Sequence, residues 1–338
     1  MEFGVFDHLD QGGAALAEHY ENRLRLIDYC DRSGFYAYHI AEHHGTPLGA
    51  APSPGIFLAS VAQRTRRLRF GPLVYLLPLY EPLRLIEEIC MLDQLGHGRL
   101  ELGVGRGISP HELALYGMTS EAAQARFTEA LSVVLSGLES PVLNFRGDFY
   151  SYQDVPLPLR PFQTPHPPLW YGALRPETAE WAAGRRMNIV IGNGPAAEVR
   201  AVAERYWSCS APSFGTEPKI GIMRQIVLAD SDAEARASAR RAYRSWRDSF
   251  TYLWRLRGDG FADSLVPSDF DSLEARGEAV AGSVDKVLSV LRKDLVETRT
   301  NYLVCRFAFG DLTIEETLRS AALFAEHVMP VLRSSVRA

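Results

Sequence analysis

MLDQLGHGRLELGVGRG, residues 91 to 107, carries the reading of the fold. It joins the end of a helix, Pro82 to Leu95, to an apolar segment of strand length, Arg99 to Val104, and then opens into a loop with glycines at 103, 105 and 107. Proline at position 82 stands where a first helical turn tolerates it. The strand has no clean polar alternation, which suits a parallel sheet covered on its outer face. A long helical pattern follows from Ser120 to Leu138.

The same unit recurs on both sides. Toward the N-terminus, strands are expected at Glu2–Phe6, Tyr36–Ala41 and Leu68–Leu77, the last carrying an awkward Gly71-Pro72. Helices are expected at Leu16–Arg32, with Gly34 as a C-cap, and at Pro54–Arg64. Toward the C-terminus, strands are expected at Pro168–Gly172, Met187–Ile191, Lys219–Ala229 and Asn301–Phe309. The helices between them are Pro176–Arg185, Pro195–Ser208, Ser231 to about Arg257, and Ser283–Val296, with Ile314–Val331 last. Eight strand–helix units predict an α/β protein of the (β/α)8 TIM-barrel class, a single domain over 1–338. No G-x-G-x-x-G follows the first strand, which disfavours an open doubly wound sheet. Two insertions interrupt the pattern. Within an insertion of about 141–165, residues 141–161 are rich in proline and aromatics and read as a surface hairpin, and 258–282 read as an irregular lid.

Composition limits the function. The 338 residues are 46% hydrophobic and 23% charged, with a net charge of −5. This is a globular balance with no basic run for nucleic acid or a membrane surface. The N-terminus lacks a signal-peptide pattern, and no window is apolar enough to span a bilayer, so a cytoplasmic protein is expected. Cys30, Cys90, Cys209 and Cys305 are widely spaced, so buried reduced thiols are expected, with neither zinc site nor disulfide framework nor other metal.

On a barrel, chemistry gathers at the C-terminal ends of the strands. YHIAEHHG, residues 38 to 45, puts Glu42, His43 and His44 just past the second strand. An imidazole there can exchange protons near neutral pH; the plainer reading is a loop histidine on a carbonyl. Gly103, Gly105 and Gly107 would let the backbone approach a ligand, and Arg106 offers a phosphate-matching fork of donors, although many loops read this way. Residues 173–178, ALRPET, lead from a strand into a helix whose N-terminus could bind phosphate; plain helix initiation is the alternative. Arg126 alone reads as a surface residue. Phe6, Tyr75, Trp170 and Tyr171 are aromatic-wall or core candidates.

Taken together, MEFGVF, AEHHGTPLG, MLDQLGHGRLELGVGRG, HELALYG, EWAAGR and FAEHVMPVL resemble, in order and spacing, the bacterial luciferase-like flavin monooxygenase family, the luciferase α subunit in particular. The resemblance implies a (β/α)8 barrel that takes reduced FMN (FMNH2) from a separate flavin reductase. The reduced flavin would meet dioxygen, form a C4a-peroxide, and oxygenate a small-molecule substrate. By position it implies His43 as the catalytic histidine with His44 secondary, Arg106, Arg126 and Thr178 at the phosphate with the backbone of Leu174 and Arg175 alongside, and a non-proline cis peptide at Leu73-Val74 beneath the flavin ring. It also implies a homodimer through the helices 54–64 and 82–95, with Ile86, Ile89, Cys90 and Leu92 to Leu95 facing the partner; burial within the chain is the alternative. Gly105 replaces a reactive cysteine, Asn193 a tryptophan, and Arg175 and Glu177 two serines, which argues against light emission and long-chain aldehydes. A deazaflavin-dependent hydride-transfer enzyme and a non-catalytic flavin-binding protein are the competing readings.

Overall fold

The computed structural model describes residues 1–192, 194–210, 217–263 and 265–335. In chain order its elements are β1 (Glu2–Asp7), α1 (Leu16–Ser33), β2 (Ala37–Ile40), α2 (Pro54–Arg64), β3 (Arg69–Pro72), β4 (Tyr75–Leu76), α3 (Pro82–Leu95), β5 (Leu102–Gly105), α4 (Pro110–Leu115), α5 (Ser120–Glu139), β6 (Val142–Arg146) and β7 (Ser151–Pro156). There follow β8 (Leu169–Gly172), α6 (Pro176–Ala183), β9 (Asn188–Ile191), α7 (Ala196–Cys209), β10 (Ile220–Leu228), α8 (Asp232–Phe250), α9 (Tyr252–Arg257), α10 (Phe270–Ala275), β11 (Ala279–Gly282), α11 (Val284–Thr298), β12 (Tyr302–Arg306), α12 (Ile314–Leu323) and α13 (Met329–Ser335).

The main sheet runs β3–β2–β1–β12–β10–β9–β8–β5–β4, with parallel pairing throughout. β3 and β4 are two pieces of one strand path, separated by a cis Leu73-Val74 bond. A parallel bridge between Phe70 and Leu100 joins this path to the chain entering β5, so the ends of the sheet meet in a nearly closed (β/α)8 barrel. The expected third strand, Leu68–Leu77, is therefore broken in the middle. Tyr75 pairs with Val104 on the far side of the break, where Phe70 had faced Leu100.

Two apolar layers follow from this closure. Outside the barrel, α1 buries Leu26, Ile27 and Cys30 against the strands and ends at Gly34, whose φ of 81° needs no side chain in the way. Inside it, Phe6, Ala41, Leu73, Trp170, Val190, Met223, Tyr302 and Val304 form a separate cluster. A packed interior closes the lower part of such a barrel and leaves its rim for chemistry.

The expected surface hairpin is β6–β7, an antiparallel pair. Three expectations need correction. The helix from Ser231 breaks at Thr251, whose hydroxyl bonds back to the Arg247 carbonyl, and continues as α9. Residues 258–282 are not all lid: Ala279–Gly282 is a buried strand paired with Gln225–Leu228 of β10. A short run of small apolar residues carries no alternation to mark it as a strand. Ile86, Ile89, Cys90, Leu92 and Asp93 do not face outward; all are buried in the chain itself, the apolar ones each contributing roughly 1.5–3 kcal/mol of burial. On these two helices Ile56, Met91 and Leu95 are the exposed apolar residues. No helix is long and apolar enough to cross a membrane among the described residues.

Candidate active site

Above the interior cluster lies a cavity of about 430 Å³, lined from β1, β9, β10 and β12 and from the loops after β2, β3, β5 and β8. Its floor is Phe6, Leu73, Val190 and Met223, the upper members of the interior cluster. Cavities of this size and apolar character are the usual form of small-molecule sites.

His43 reaches the cavity from the loop after β2, and Glu112 meets it from α4. The short helix is started by Ser109, whose hydroxyl accepts from the Glu112 amide. The Glu112 carboxylate lies 3.0 and 3.3 Å from His43 Nδ1 and accepts the His44 amide at 2.9 Å. A carboxylate only accepts, so Nδ1 of His43 carries the proton and Nε2 is left to accept from, or give to, a group in the cavity. That is the orientation a general base or acid requires.

His44 is turned elsewhere. Its Nε2 donates to Glu42 at 2.8 Å and its Nδ1 accepts from the Tyr116 hydroxyl at 2.8 Å, so both nitrogens are committed to protein groups. Its ring does not line the cavity. Glu42 is buried, and burial raises its pKa; besides His44 it accepts from the Leu76 amide and the Tyr80 hydroxyl. This carboxylate pins the loop after β2 to the chain just past the cis bond.

A second histidine lies beside the first. The His8 and His43 rings are 5.2 Å apart. Trp246 Nε1, a donor only, gives its proton to His8 Nδ1 at 3.1 Å, so His8 is protonated at Nε2. Burial above all, then electrostatic interaction with Arg306 and with the neighbouring His43, holds its pKa well below the usual histidine value, and it stays neutral. Arg306 ends β12 in the same wall, only 3% exposed, its guanidinium 5.2 Å from the Phe6 ring and 5.1 Å from the Trp246 ring. Burial lowers its pKa to about 10, so it remains a cation at neutral pH.

The opposite wall is cationic too. Arg106 lines it, with Nε bonded to the Gly107 carbonyl at 3.2 Å. Leu174, Arg175 and Thr178 line it at the start of α6. Thr178 Oγ1 donates to the Arg175 carbonyl at 2.7 Å and lies 3.2 Å from the Arg175 amide, which fixes the turn that opens the helix. Glu177 is exposed and outside the lining. A helix N-terminus flanked by two guanidinium groups suits a phosphate. Between the walls, Leu73, Val74 and Gly105 form a shelf. A Cβ on Gly105 would stand 2.5 Å from Val74 Cγ2, so this glycine admits the neighbouring strand as much as any ligand.

Arg126 is not brought to this wall. From α5 it is Gln124 that lines the cavity, and two residues further the helix has turned by about 200°. Arg126 instead packs over Phe149 and Tyr150 of the hairpin, at 5.5 and 5.7 Å. Of the aromatic candidates, Phe6 and Tyr171 line the cavity; Tyr75, bonded to Glu88, and Trp170, bonded to Glu101, are barrel packing. Leu265 and Val266 close the cavity from the 258–269 loop. Asn193 lies outside the described residues, as does Ser264 of that loop. His8, Glu112, Gln124, Trp246 and Arg306 escaped the sequence reading. Arg306 had a visible signal, a lone arginine in the apolar run NYLVCRFAF.

A family model described as luciferase-like monooxygenase matches residues 1–292. The protein named Uncharacterized protein y4wF of Sinorhizobium fredii is 43% identical over 332 residues, covering 97% of this chain and 96% of that one. The oxygenase component of flavin-dependent trigonelline monooxygenase from Acinetobacter baylyi is 26% identical over 246 residues, 71% of this chain and 68% of that one. In structure, the oxygenating constituent of 3,6-diketocamphane monooxygenase from Pseudomonas putida, solved with FMN, superposes with a TM-score of 0.82 at 20% identity, covering 98% of each chain. An F420-dependent secondary alcohol dehydrogenase shares the fold at 15% identity, covering 98% of each chain with a TM-score of 0.71.

Proposed function

The chain belongs to the luciferase-like monooxygenase family, and from that membership we propose that it is the oxygenase of a two-component system, using reduced FMN from a separate reductase and dioxygen to oxygenate a small organic molecule. The observation that carries this is convergence: the free Nε2 side of His43 and the Arg106–Arg175–Thr178 wall belong to one cavity. The donor set fits FMN. Two guanidinium groups and the α6 N-terminus would take the phosphate, and the Leu73–Val74 shelf beside Gly105 would carry the ring.

When bound, the reduced flavin supplies the electrons that activate dioxygen. The chain's own part is to orient, to exclude water and to handle a proton. His43, held by Glu112, gives or takes that proton at Nε2. Neutral His8 offers an Nε2–H beside it. Leu265 and Val266 shield the cavity, which keeps an oxygen-activating site from leaking to solvent. His44 and Glu42 position the loop. The relative named as an oxygenase component supports a separate reductase.

The test is a rapid-mixing experiment. Protein loaded with reduced FMN is mixed with oxygenated buffer. A spectral species preceding oxidised FMN, delayed relative to free flavin, is the expected result; reoxidation identical to free flavin counts against it. A parallel run with reduced F420 under argon separates the hydride-transfer reading, because that chemistry survives loss of oxygen and oxygenation does not.

A further inference from the structure

Arg306 has no protein counter-ion within salt-bridge distance among the described residues, although it is almost wholly buried. Its Nε and Nη1 have no hydrogen-bond partner, and Nη2 finds only the Met223 sulfur at 3.3 Å, a weak acceptor. Phe6 and Trp246 pack near the guanidinium, and the group lines the cavity. A buried cation is ordinarily paired. Asp10 and Asp7 offset part of the Arg306 charge at longer range without bonding it, and the side chain lines the cavity, so an anion there would complete its pairing.

The fold sets this cation apart from the phosphate wall. The sheet order puts β12 and β5 four steps apart in either direction, through β1, β2 and β3–β4 or through β10, β9 and β8. Arg306 and Arg106 therefore rise from opposite staves of the barrel. Around Arg306 the neighbours are apolar and aromatic: Phe6, Met223 and Trp246 lie against the guanidinium, and Phe250 and Val266 pack in the cluster that holds Trp246. The two carboxylates that line the cavity are engaged elsewhere, Glu112 with His43 and Glu42 with His44. His8 is neutral and offers a donor rather than an acceptor.

We propose that Arg306 anchors the carboxylate of the organic substrate, so that the enzyme acts on small organic acids with an apolar or aromatic body, held across the barrel from the flavin phosphate. This rests on the oxygenase reading above for the word substrate, but the anion site stands on the geometry alone. The guanidinium takes the carboxylate, Trp246 and Phe250 hold the body, and the remaining part of the molecule extends toward His43 and the Leu73–Val74 shelf.

The experiment is a calorimetric titration of flavin-free full-length protein with benzoate and hexanoate, and with the matched neutral probes benzamide and hexanamide. Wild type is expected to prefer each acid over its amide by about tenfold or more. Arg306→Met is expected to abolish that preference while FMN affinity changes less than about twofold, because a methionine in place of a buried unpaired cation is tolerated by the fold. Arg106→Met is expected to do the reverse, losing FMN affinity and keeping the preference for acids. Equal binding of acid and amide to wild type overturns the proposal, and so does a preference that survives R306M or disappears in R106M alone. If R306M fails to fold, Arg306→Lys takes its place: a reduced preference for acids supports the site, and an unchanged one overturns it. Should FMN bind to no variant while the acid preference tracks Arg306, the flavin reading fails and the anion site stands.

Discussion

His43, on the loop after β2, and Glu112, on α4, lie 69 positions apart in the chain and meet at 3.0 Å, and this contact decides which ring nitrogen faces the cavity. Replacing His43 by alanine should leave binding of reduced FMN within about twofold and lower the yield of oxygenated product by roughly 100-fold or more, the usual scale for a lost proton-transfer group. Glu112→Gln keeps an acceptor for Nδ1 and should lose far less. Product formation with a coupled reductase, read beside a flavin titration, checks both. The arginines give a second residue-scale prediction. Arg106→Met should weaken FMN binding by about tenfold while leaving riboflavin, which has no phosphate, nearly unchanged. Arg126→Met should move FMN affinity little, because that side chain lies on the hairpin aromatics. An R126M loss equal to that of R106M would mean that Arg126 swings to the phosphate.

At the scale of elements, the broken β3–β4 path does the positioning. Glu42 bonds Leu76 and Tyr80 beyond the break, and Val74 fills the space beside Gly105. Gly105→Ala should push Val74 out of place, lower the midpoint of thermal unfolding, and weaken FMN binding, at an overpacking cost of about 1–3 kcal/mol. Unchanged melting and unchanged binding would show that the shelf is not shaped by that contact. Much of this level was legible in the sequence. Pro54–Arg64 and Pro82–Leu95 begin and end where proline and helical spacing put them. β11 was not legible, because four small residues after an irregular stretch look like loop until β10 pairs with them. Nor was the outward face of α3, since an apolar helix reads alike whether it packs on its own barrel or on a partner.

For the molecule as a whole, burial of charge couples stability to pH. Asp10 follows β1 and ties it to the loop after β12, accepting the Gly310 amide. Burial raises its pKa from 3.8 to about 7, with Asp7 raising it further and Arg23, the Gly310 amide and Arg306 lowering it. Between those values the folded chain holds a proton that the unfolded chain has released. The contribution of Asp10 to stability therefore falls as pH rises through about 4 to 7 and stays low above it. The melting temperature of Asp10→Asn minus that of wild type should grow from about pH 5 to about pH 8; a constant difference would mean that Asp10 ionises normally. The site followed a similar division. That His43 and Arg106 would line the cavity was legible because they sit at strand ends, where a barrel opens its rim. His8, Glu112 and Arg306 became functional candidates only when register and closure turned them into the same space. The most direct measurement is a structure of the protein with FMN bound. The account predicts the phosphate at Arg106, Arg175 and the start of α6, and the ring on Leu73–Val74 within reach of His43. A phosphate seated on Arg306, or a ring away from His43, would contradict it.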